Sequence, residues 1–248
     1  MKQSIKLGFA GCLLLVFLPG AVTAQSVYSP LNSSVSGFGT SFIFAPTPVC
    51  KGCLQTELGL AGVGANRFIS AVLTMSPSQY LDVSVLFNPY ERTSGDGHLG
   101  QRVDVVVRRL VFSEEYLSLT LAPRGATTFD GGIAIGSTVA GQYAKNGNIL
   151  IVNLTGIRGL GKAYLLPQKD FSLSTDYARN LGSKGASVFG GFQLRSATGV
   201  ALTKGFEVGA VFPFQNGQIE SAVERYISAS GSSWQVQARV LVNWQKIF

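Results

Sequence analysis

The chain has few of the side chains on which most enzymes and metal sites depend. Its 248 residues include one histidine, His98, together with three cysteines and two methionines, and only 13% of the residues are charged. Beyond the N-terminal leader, no apolar run is long enough to form a membrane-spanning helix. The composition therefore argues against a helical membrane protein, and any chemistry that uses a histidine as general base would have to use His98.

Positive charge is in surplus but is not concentrated. The formal net charge is +7, and the lysines and arginines are spread singly along the sequence. A nucleic-acid binder typically shows a basic tract with interleaved aromatic residues, so no nucleic-acid partner is predicted. The surplus is open to three interpretations: attraction of anions, binding of lipopolysaccharide phosphates, or ordinary surface charge.

The first 24 residues have the organisation of a secretory signal peptide. Lys2 and Lys6 precede an apolar core at 13–18, and Val22-Thr23-Ala24 provides a small-residue cleavage site. We therefore expect residues 1–24 to be a signal peptide and residues 25–248 to form one exported domain.

The exported part alternates apolar and polar residues with the period of two that is typical of β-strands. The segment 54–75 is either one strand or two strands around Gly64-Ala65-Asn66, and one strand gives a total of about twelve. Turn residues such as Asn146-Gly147 and Asn216-Gly217 separate the segments. The predicted strands are 35–44, 54–75, 80–88, 102–108, 117–121, 131–143, 149–157, 170–180, 186–195, 200–212, 219–229 and 234–248.

The last strand carries a more specific pattern. Val240, Val242, Trp244 and the terminal Phe248 lie on one face of it, and Lys246 departs from this apolar series. In this respect the strand resembles the closing strand of bacterial outer-membrane β-barrel proteins, which is apolar at alternate positions and ends in Phe. The resemblance implies that these four residues form a signal for the barrel-assembly machinery.

The same resemblance implies an all-β fold: an antiparallel transmembrane β-barrel of about 12 strands in the cell outer membrane, in contact with lipid and lipopolysaccharide. We expect short periplasmic turns at 76–78, 113–114, 145–148, 182–185 and 213–217, and long outer loops at 45–53, 89–100, 123–129 and 158–169. Both termini then lie in the periplasm. A soluble β-sandwich has the same repeat with its apolar faces turned inward.

Charged residues on the polar faces are candidates for lining the barrel interior. They are Asp82, Arg102, Asp104, Arg108, Asp176, Arg195, Glu207, Glu220, Glu224 and Arg239. Because both signs are present, two interpretations remain open: ion pairs that brace a closed interior, or a wet path through it. The predicted function is a narrow channel for passive passage of small solutes. Alternatives are a structural or surface-interaction barrel with a closed lumen, and an outer-membrane hydrolase using His98.

Two cysteines remain after export, in Cys50-Lys51-Gly52-Cys53. Outside the cytoplasm such a pair usually forms a local disulfide, which we predict here. A redox-active pair lacks thioredoxin-like surroundings, and haem attachment would require histidine where Leu54 stands. Two ligands are too few for a structural zinc site by themselves. We predict no catalytic residue, no metal and no cofactor.

Overall fold

The fold is built from β-strands. A computed structural model describes residues 51–63, 66–93, 96–98, 102–128, 131–160, 169–181, 186–198, 200–215, 217–229 and 231–244. The strands of this part are β1 (Cys53–Val63), β2 (Asn66–Ser78), β3 (Leu81–Thr93), β4 (Asp96–His98), β5 (Arg102–Glu114), β6 (Leu117–Thr128), β7 (Ile133–Lys145), β8 (Asn148–Leu160), β9 (Lys169–Asn180), β10 (Ser187–Ala197), β11 (Val200–Phe214), β12 (Gly217–Ser228) and β13 (Gly231–Trp244). Within these ranges, no helix is long and apolar enough to cross a membrane.

Twelve of these strands close into an antiparallel barrel. From β5 to β13 each strand pairs with the next, and β3 pairs with both β2 and β5. β1 pairs with β2 on one side and with β13 on the other, from Leu54↔Trp244 to Val63↔Gln235. The short β4 pairs with the end of β3 and lies outside this circuit. Closure pairs the two strands that would otherwise be edges, and the predicted fold class is confirmed.

Side chains alternate between the interior and the outer surface, with interruptions where the β2–β3, β5–β6 and β10–β11 pairings are irregular. In β13, Gln237 and Arg239 are buried, whereas Val236 is 61% exposed and Val240 is 42% exposed. The other strands repeat this arrangement, and exposed Leu, Val, Phe and Trp side chains cover the outside of the barrel. An apolar outer face and a polar interior are the arrangement that lipid requires, and the reverse of a β-sandwich.

The segment 54–75 is two strands and not the single strand that gave our count of twelve. β1 and β2 form a hairpin, with Cys53 opposite Ser76 and Val63 opposite Asn66. The apolar alternation runs on through both strands, so the turn at 64–65 is marked only by Gly64-Ala65-Asn66. The predicted strand at 35–44 lies outside the described residues.

The two ends of the barrel carry different connections. One end, here the turn end, carries the connections 79–80, 115–116, 146–147, 181–186 and 215–216 together with the start of β1 and the end of β13. One of its two-residue connections is Asn146-Gly147, where φ values of 51° and 75° are those of a type I′ hairpin turn. The opposite end, here the loop end, carries the connections at 64–65, 94–101, 129–132, 161–168, 198–199 and 229–230.

Two predicted outer loops are wrong. Cys53 pairs with Ser76 at the turn end, so the segment that enters β1 does not arrive from the loop end. Residues 123–128 continue β6 and pair with β7, because a closed sheet continues to pair neighbouring strands even across Pro123. The predicted asymmetry is therefore carried by two connections, 94–101 and 161–168.

The interior also contains apolar clusters. One contains Ile149, Ile151, Ala178, Phe189, Val211 and Ala222, towards the turn end of β8 to β12. A second, on the opposite wall, contains Val72, Leu86, Val106, Ala122 and Ala140. The interior therefore contains apolar as well as polar side chains.

Candidate functional site

Three carboxyl side chains meet on the interior wall formed by β9 to β12. Glu224 lies opposite Glu207 in the strand register, Glu207 lies opposite Gly191, and Gly191 lies opposite Asp176. We call Asp176, Glu207 and Glu224 the acidic triad. Asp176 interacts with Glu207, and Glu207 interacts with Glu224, although the first two are two strands apart.

Gly191 makes this meeting possible. A Cβ atom at position 191 would lie 1.8 Å from Oδ1 of Asp176 and 3.1 Å from Oε1 of Glu207. The two carboxyl groups therefore occupy the space in which a side chain of β10 would stand. A glycine in a strand interior often marks such a close approach.

Neutral donors surround the triad. The Tyr226 hydroxyl donates a hydrogen bond to Oε2 of Glu224, and Nε2 of Gln237 donates to Oε1 of the same residue at 2.9 Å. Beside the triad is a cavity lined also by Ser174, Gln193 and Tyr226, with room for about one water molecule. The acidic side chains thus border a small space in the interior.

The guanidinium group on the adjoining strand binds other acids. Arg239 donates through Nη2 to Oε1 of Glu220, its register partner on β12, and its Nη1 lies 3.4 Å from Oε1 of Glu57 on β1. A Cβ at Gly59 would be in ordinary contact with Cγ of Arg239, at 3.4 Å, but would meet the Ser70 hydroxyl, so the glycine makes room for Ser70 and not for Arg239. Arg239 therefore joins β1, β12 and β13 across the closing seam.

A second ion pair lies on the opposite wall. Nε of Arg108 is 2.7 Å from Oδ1 of Asp82, and both residues are fully buried. Nearby, Nη2 of Arg124 lies 3.7 Å from Oδ1 of Asp104. These pairs connect β3, β5 and β6.

A third pair lies close to the loop end. Nη2 of Arg195 is 2.6 Å from Oδ2 of Asp170, and its Nε is 3.1 Å from both carboxylate oxygens. The Arg195 side chain is 35% exposed, so this pair is more open to water than the others.

The structure thus brings the candidate interior residues together in groups. The triad contains three of them, Arg239 and Glu220 form a pair, and Arg108 and Asp82 form another. The side chain of Arg102 is outside the described part of the structure. Whether these residues line a solute path remains a prediction.

Sequence reasoning missed several partners. Glu57 was overlooked, although it alternates with Gln55 and Gly59 on one face of β1, because a single strand at 54–75 obscured the register. Asp170 and Tyr226 were missed because they lie near predicted strand ends, and Arg124 because it lies in the predicted loop 123–129. The alternation in β12 and β6 contains the signal that would have found the last two.

Many buried polar atoms of the interior have no hydrogen-bond partner among the described residues. They are Oγ of Ser76 and Ser118, Oε1 of Gln142, Oδ2 of Asp176, Oε2 of Glu207, Nε of Arg239, and Nε2 of Gln193, Gln218 and Gln235. Leaving one such atom unsatisfied costs about 1–3 kcal/mol. Left unsatisfied, these nine atoms would together cost as much as or more than the ~5–15 kcal/mol by which a folded domain is stable, so they require water.

The remaining sequence predictions fall partly outside the described residues. Cys53 is disulfide-bonded, but Cys50 is not among the described residues, so their pairing stays a prediction. Phe248 is also outside them, whereas Trp244 is 52% exposed and its Nε1 donates to Oγ1 of Thr56 at 3.0 Å. His98 ends β4, and its side chain is not described. Among described residues, no group of three or more His, Cys, Asp or Glu is arranged to hold a metal ion.

Comparison with known proteins identifies the architecture. In sequence, the chain matches no protein-family model and no curated protein. In structure, it is similar to an outer membrane channel from Pseudomonas putida F1, with a TM-score of 0.62, 8% identity and coverage of 85% of this chain and 100% of that chain. The chain has the fold of outer-membrane porins.

Two further porins share this fold. The NanC porin gives a TM-score of 0.56 at 10% identity, over 76% of this chain and 98% of that chain. The KdgM porin, solved in complex with disordered oligogalacturonate, gives 0.55 at 8% identity, over 77% of this chain and 98% of that chain. The resemblance first indicated by the closing strand is therefore confirmed at the level of fold.

Proposed function

We propose that this protein is an outer-membrane channel for the passive passage of small solutes. In this proposal the leader at 1–24 directs export, and 25–248 form the barrel. The barrel-assembly machinery recognises the strand that ends at Phe248, and the outer surface contacts lipid and lipopolysaccharide. The residues that line the path are Asp82, Arg102, Asp104, Arg108, Asp176, Arg195, Glu207, Glu220, Glu224 and Arg239.

The observation that supports passage is the set of unsatisfied polar atoms inside the barrel. Amide, hydroxyl and carboxyl atoms such as Gln142 Oε1, Gln193 Nε2 and Asp176 Oδ2 lack partners among the described residues, on several different strands. A barrel filled as a dry core would pair or exclude such groups. Water distributed over these strands gives a small solute a polar path from one end to the other.

The test is electrical conductance in planar lipid bilayers. Protein refolded in detergent, and verified by a shift in gel migration between unheated and boiled samples, is expected to produce discrete conductance steps. Folded protein that inserts into the bilayer without conductance steps would remove the channel proposal and leave the architecture intact.

A barrel with a closed lumen is the second candidate, and the two apolar clusters favour it. Phe189 lies in the interior opposite Gly209 and fills the position at which a Cβ of residue 209 would stand, with Cζ of the ring 2.3 Å from that point. If apolar packing closes the interior, its polar groups brace the wall and the outer connections carry the function. Replacing Phe189 with Ala separates the two cases, since a channel narrowed by this ring gains conductance whereas a closed barrel stays silent.

We further propose that the protein is not an enzyme. The three structural neighbours described above are channels. The hydrolase alternative depends on His98, the single histidine of the chain. A lipid-hydrolysis assay on wild-type protein and on His98→Ala tests it, and activity that disappears in the variant would restore the enzyme hypothesis.

A further inference from the structure

We propose that the acidic triad is a cation site and that it makes the channel selective for small monovalent cations over anions. This inference rests on the proposed channel function and specifies its solute class. It concerns the interior wall at Asp176, Glu207 and Glu224, next to the cavity that these residues border.

No described guanidinium group is hydrogen bonded to the triad. Arg239 donates to Glu220 and lies near Glu57, and it acts on Glu207 and Glu224 only through its charge, without a hydrogen bond. Arg108 binds Asp82. Arg195 binds Asp170. The described neighbours that donate to the triad are the neutral Tyr226 and Gln237. Asp176 with Glu207, and Glu207 with Glu224, are in side-chain hydrogen-bond contact, which two carboxyl groups make only by sharing a proton. A cation that replaces the shared protons is stabilised by the carboxylates that it leaves ionised.

Unsatisfied polar atoms around the same cavity indicate that a water molecule or an ion occupies it. The Gln193 side chain lines it, is only 6% exposed, and its Nε2 has no hydrogen-bond partner among the described residues. Oδ2 of Asp176 and Oε2 of Glu207 are buried and unsatisfied at the same place. One water molecule in this cavity can accept from Gln193 Nε2 and donate to the carboxyl oxygens, and a cation of similar size that has shed its hydration shell can take its place against those oxygens.

The site is suited to weak, short-lived binding of an ion during its passage. The described residues hold no three-group arrangement fit to hold a metal ion, and the cavity is only about the size of a water molecule. Conduction requires an ion to bind well enough to enter and weakly enough to leave. The hydrogen bonds from Tyr226 and Gln237 compete with a cation for the oxygens of Glu224, so a carboxyl wall of this kind attracts Na⁺ or K⁺ without holding it tightly.

Global and local charge predict opposite signs of selectivity. The whole chain carries a formal charge of +7, which by itself attracts anions. The interior wall around the triad is acidic and confined, and charge in a confined cleft dominates the ions that enter it. The sign of the reversal potential in a KCl gradient therefore decides which of the two governs permeation.

The experiment measures the reversal potential of bilayers containing many channels, with KCl more concentrated on one side. Wild-type protein is expected to favour K⁺ over Cl⁻ by roughly tenfold. Glu207→Gln with Glu224→Gln is expected to abolish most of this preference. The matched control replaces Glu114 and Glu115 with Gln in the exposed β5–β6 turn, which removes the same charge outside the interior and leaves the preference unchanged.

Each outcome is decisive. Conducting wild-type channels that are unselective or prefer Cl⁻ overturn the inference while the channel function stands. A double variant that conducts with the wild-type preference overturns it too. Absence of conductance in wild type rejects the channel function itself. If the double variant does not fold, Asp176→Asn alone is measured, and an unchanged preference there counts against the site.

Discussion

The guanidinium of Arg108 contacts both carboxylate oxygens of Asp82 from the facing position on the neighbouring strand. Nε lies 2.7 Å from Oδ1 and Nη2 lies 2.5 Å from Oδ2, with both side chains buried. A fork of this kind is geometrically specific as well as strong. It fixes the register of β3 against β5 on the wall that faces the acidic triad.

Removing one member of this pair is expected to destabilise the barrel. Asp82→Asn leaves a buried guanidinium without its carboxylate, which costs about 3–5 kcal/mol. The measurement is the free energy of unfolding by guanidinium chloride in lipid vesicles. Asp170→Asn is the control: its pair with Arg195 is half-buried, with the Arg195 side chain 35% exposed, so water screens it and its loss should cost less, about 1 kcal/mol. Equal losses in the two variants would show that burial of the Arg108 pair has no energetic consequence.

A charge placed on the outer face at mid-height is expected to oppose membrane insertion. Leu58 is 60% exposed near the middle of β1, so Leu58→Arg puts a guanidinium among acyl chains at a cost of about 2–4 kcal/mol. Leu181, which is 52% exposed at the turn end beyond β9, is the matched site, and Leu181→Arg should cost about 0–1 kcal/mol. The free energy of unfolding in lipid vesicles is measured for both variants. Similar losses in the two variants would contradict a lipid-facing surface centred on Leu58.

Two interior glycines are expected to respond differently to the same substitution. At Gly191 the new methyl group meets the end of the Asp176 side chain, which can rotate away. Gly191→Ala should therefore fold with little loss of stability and displace the carboxyl group from Glu207. At Gly209 the methyl group meets the carbonyl oxygen of Ser221 at 2.5 Å as well as the Phe189 ring, so Gly209→Ala should be the more destabilising by about 1–3 kcal/mol. Denaturant unfolding compares the two, and the opposite order would refute this interpretation of the glycines.

The sequence carried the architecture because the period of two is itself the physical signal for a two-faced strand. Trp234, Val236 and Val240 face outward in the structure, in alternation with Gln235, Gln237 and Arg239. The closing Phe and the leader then suggested which side the lipid is on. Alternation does not reveal where one strand ends and the chain reverses direction. For this reason the pattern at 54–75 left one strand and two strands open, and the single strand gave our count of twelve.

The groupings of charged side chains were less accessible, because they depend on pairing between strands. Asp176 and Glu207 meet across a strand only because residue 191 lacks a side chain. Arg239 reaches Glu57 only because the chain closes on itself, which places residues from the start and the end of the barrel side by side. The sequence indicates which residues are charged and on which face of a strand each lies. The partners of these residues depend on the register between neighbouring strands, which the structure shows.

Closure between the first and last strands is the relationship on which the interior depends, and it is directly testable by crosslinking. Leu58 and Val240 are register partners on the outer face of β1 and β13. Facing residues of antiparallel strands have Cα atoms about 4.5–5.5 Å apart, within the range that a disulfide spans. In a background with Cys50 and Cys53 replaced by Ser, Leu58→Cys with Val240→Cys should oxidise to a bond joining the two ends of the chain. Mass spectrometry of peptides from the folded protein detects it.

The control pair is displaced along the same two strands. Val236 pairs with Gly62, about 13 Å along the strand from Leu58, so Leu58→Cys with Val236→Cys should give no bond. Crosslinking at 58 and 236 but not at 58 and 240 would mean that the seam closes in another register, and Arg239 would then no longer face Glu220 and Glu57 together.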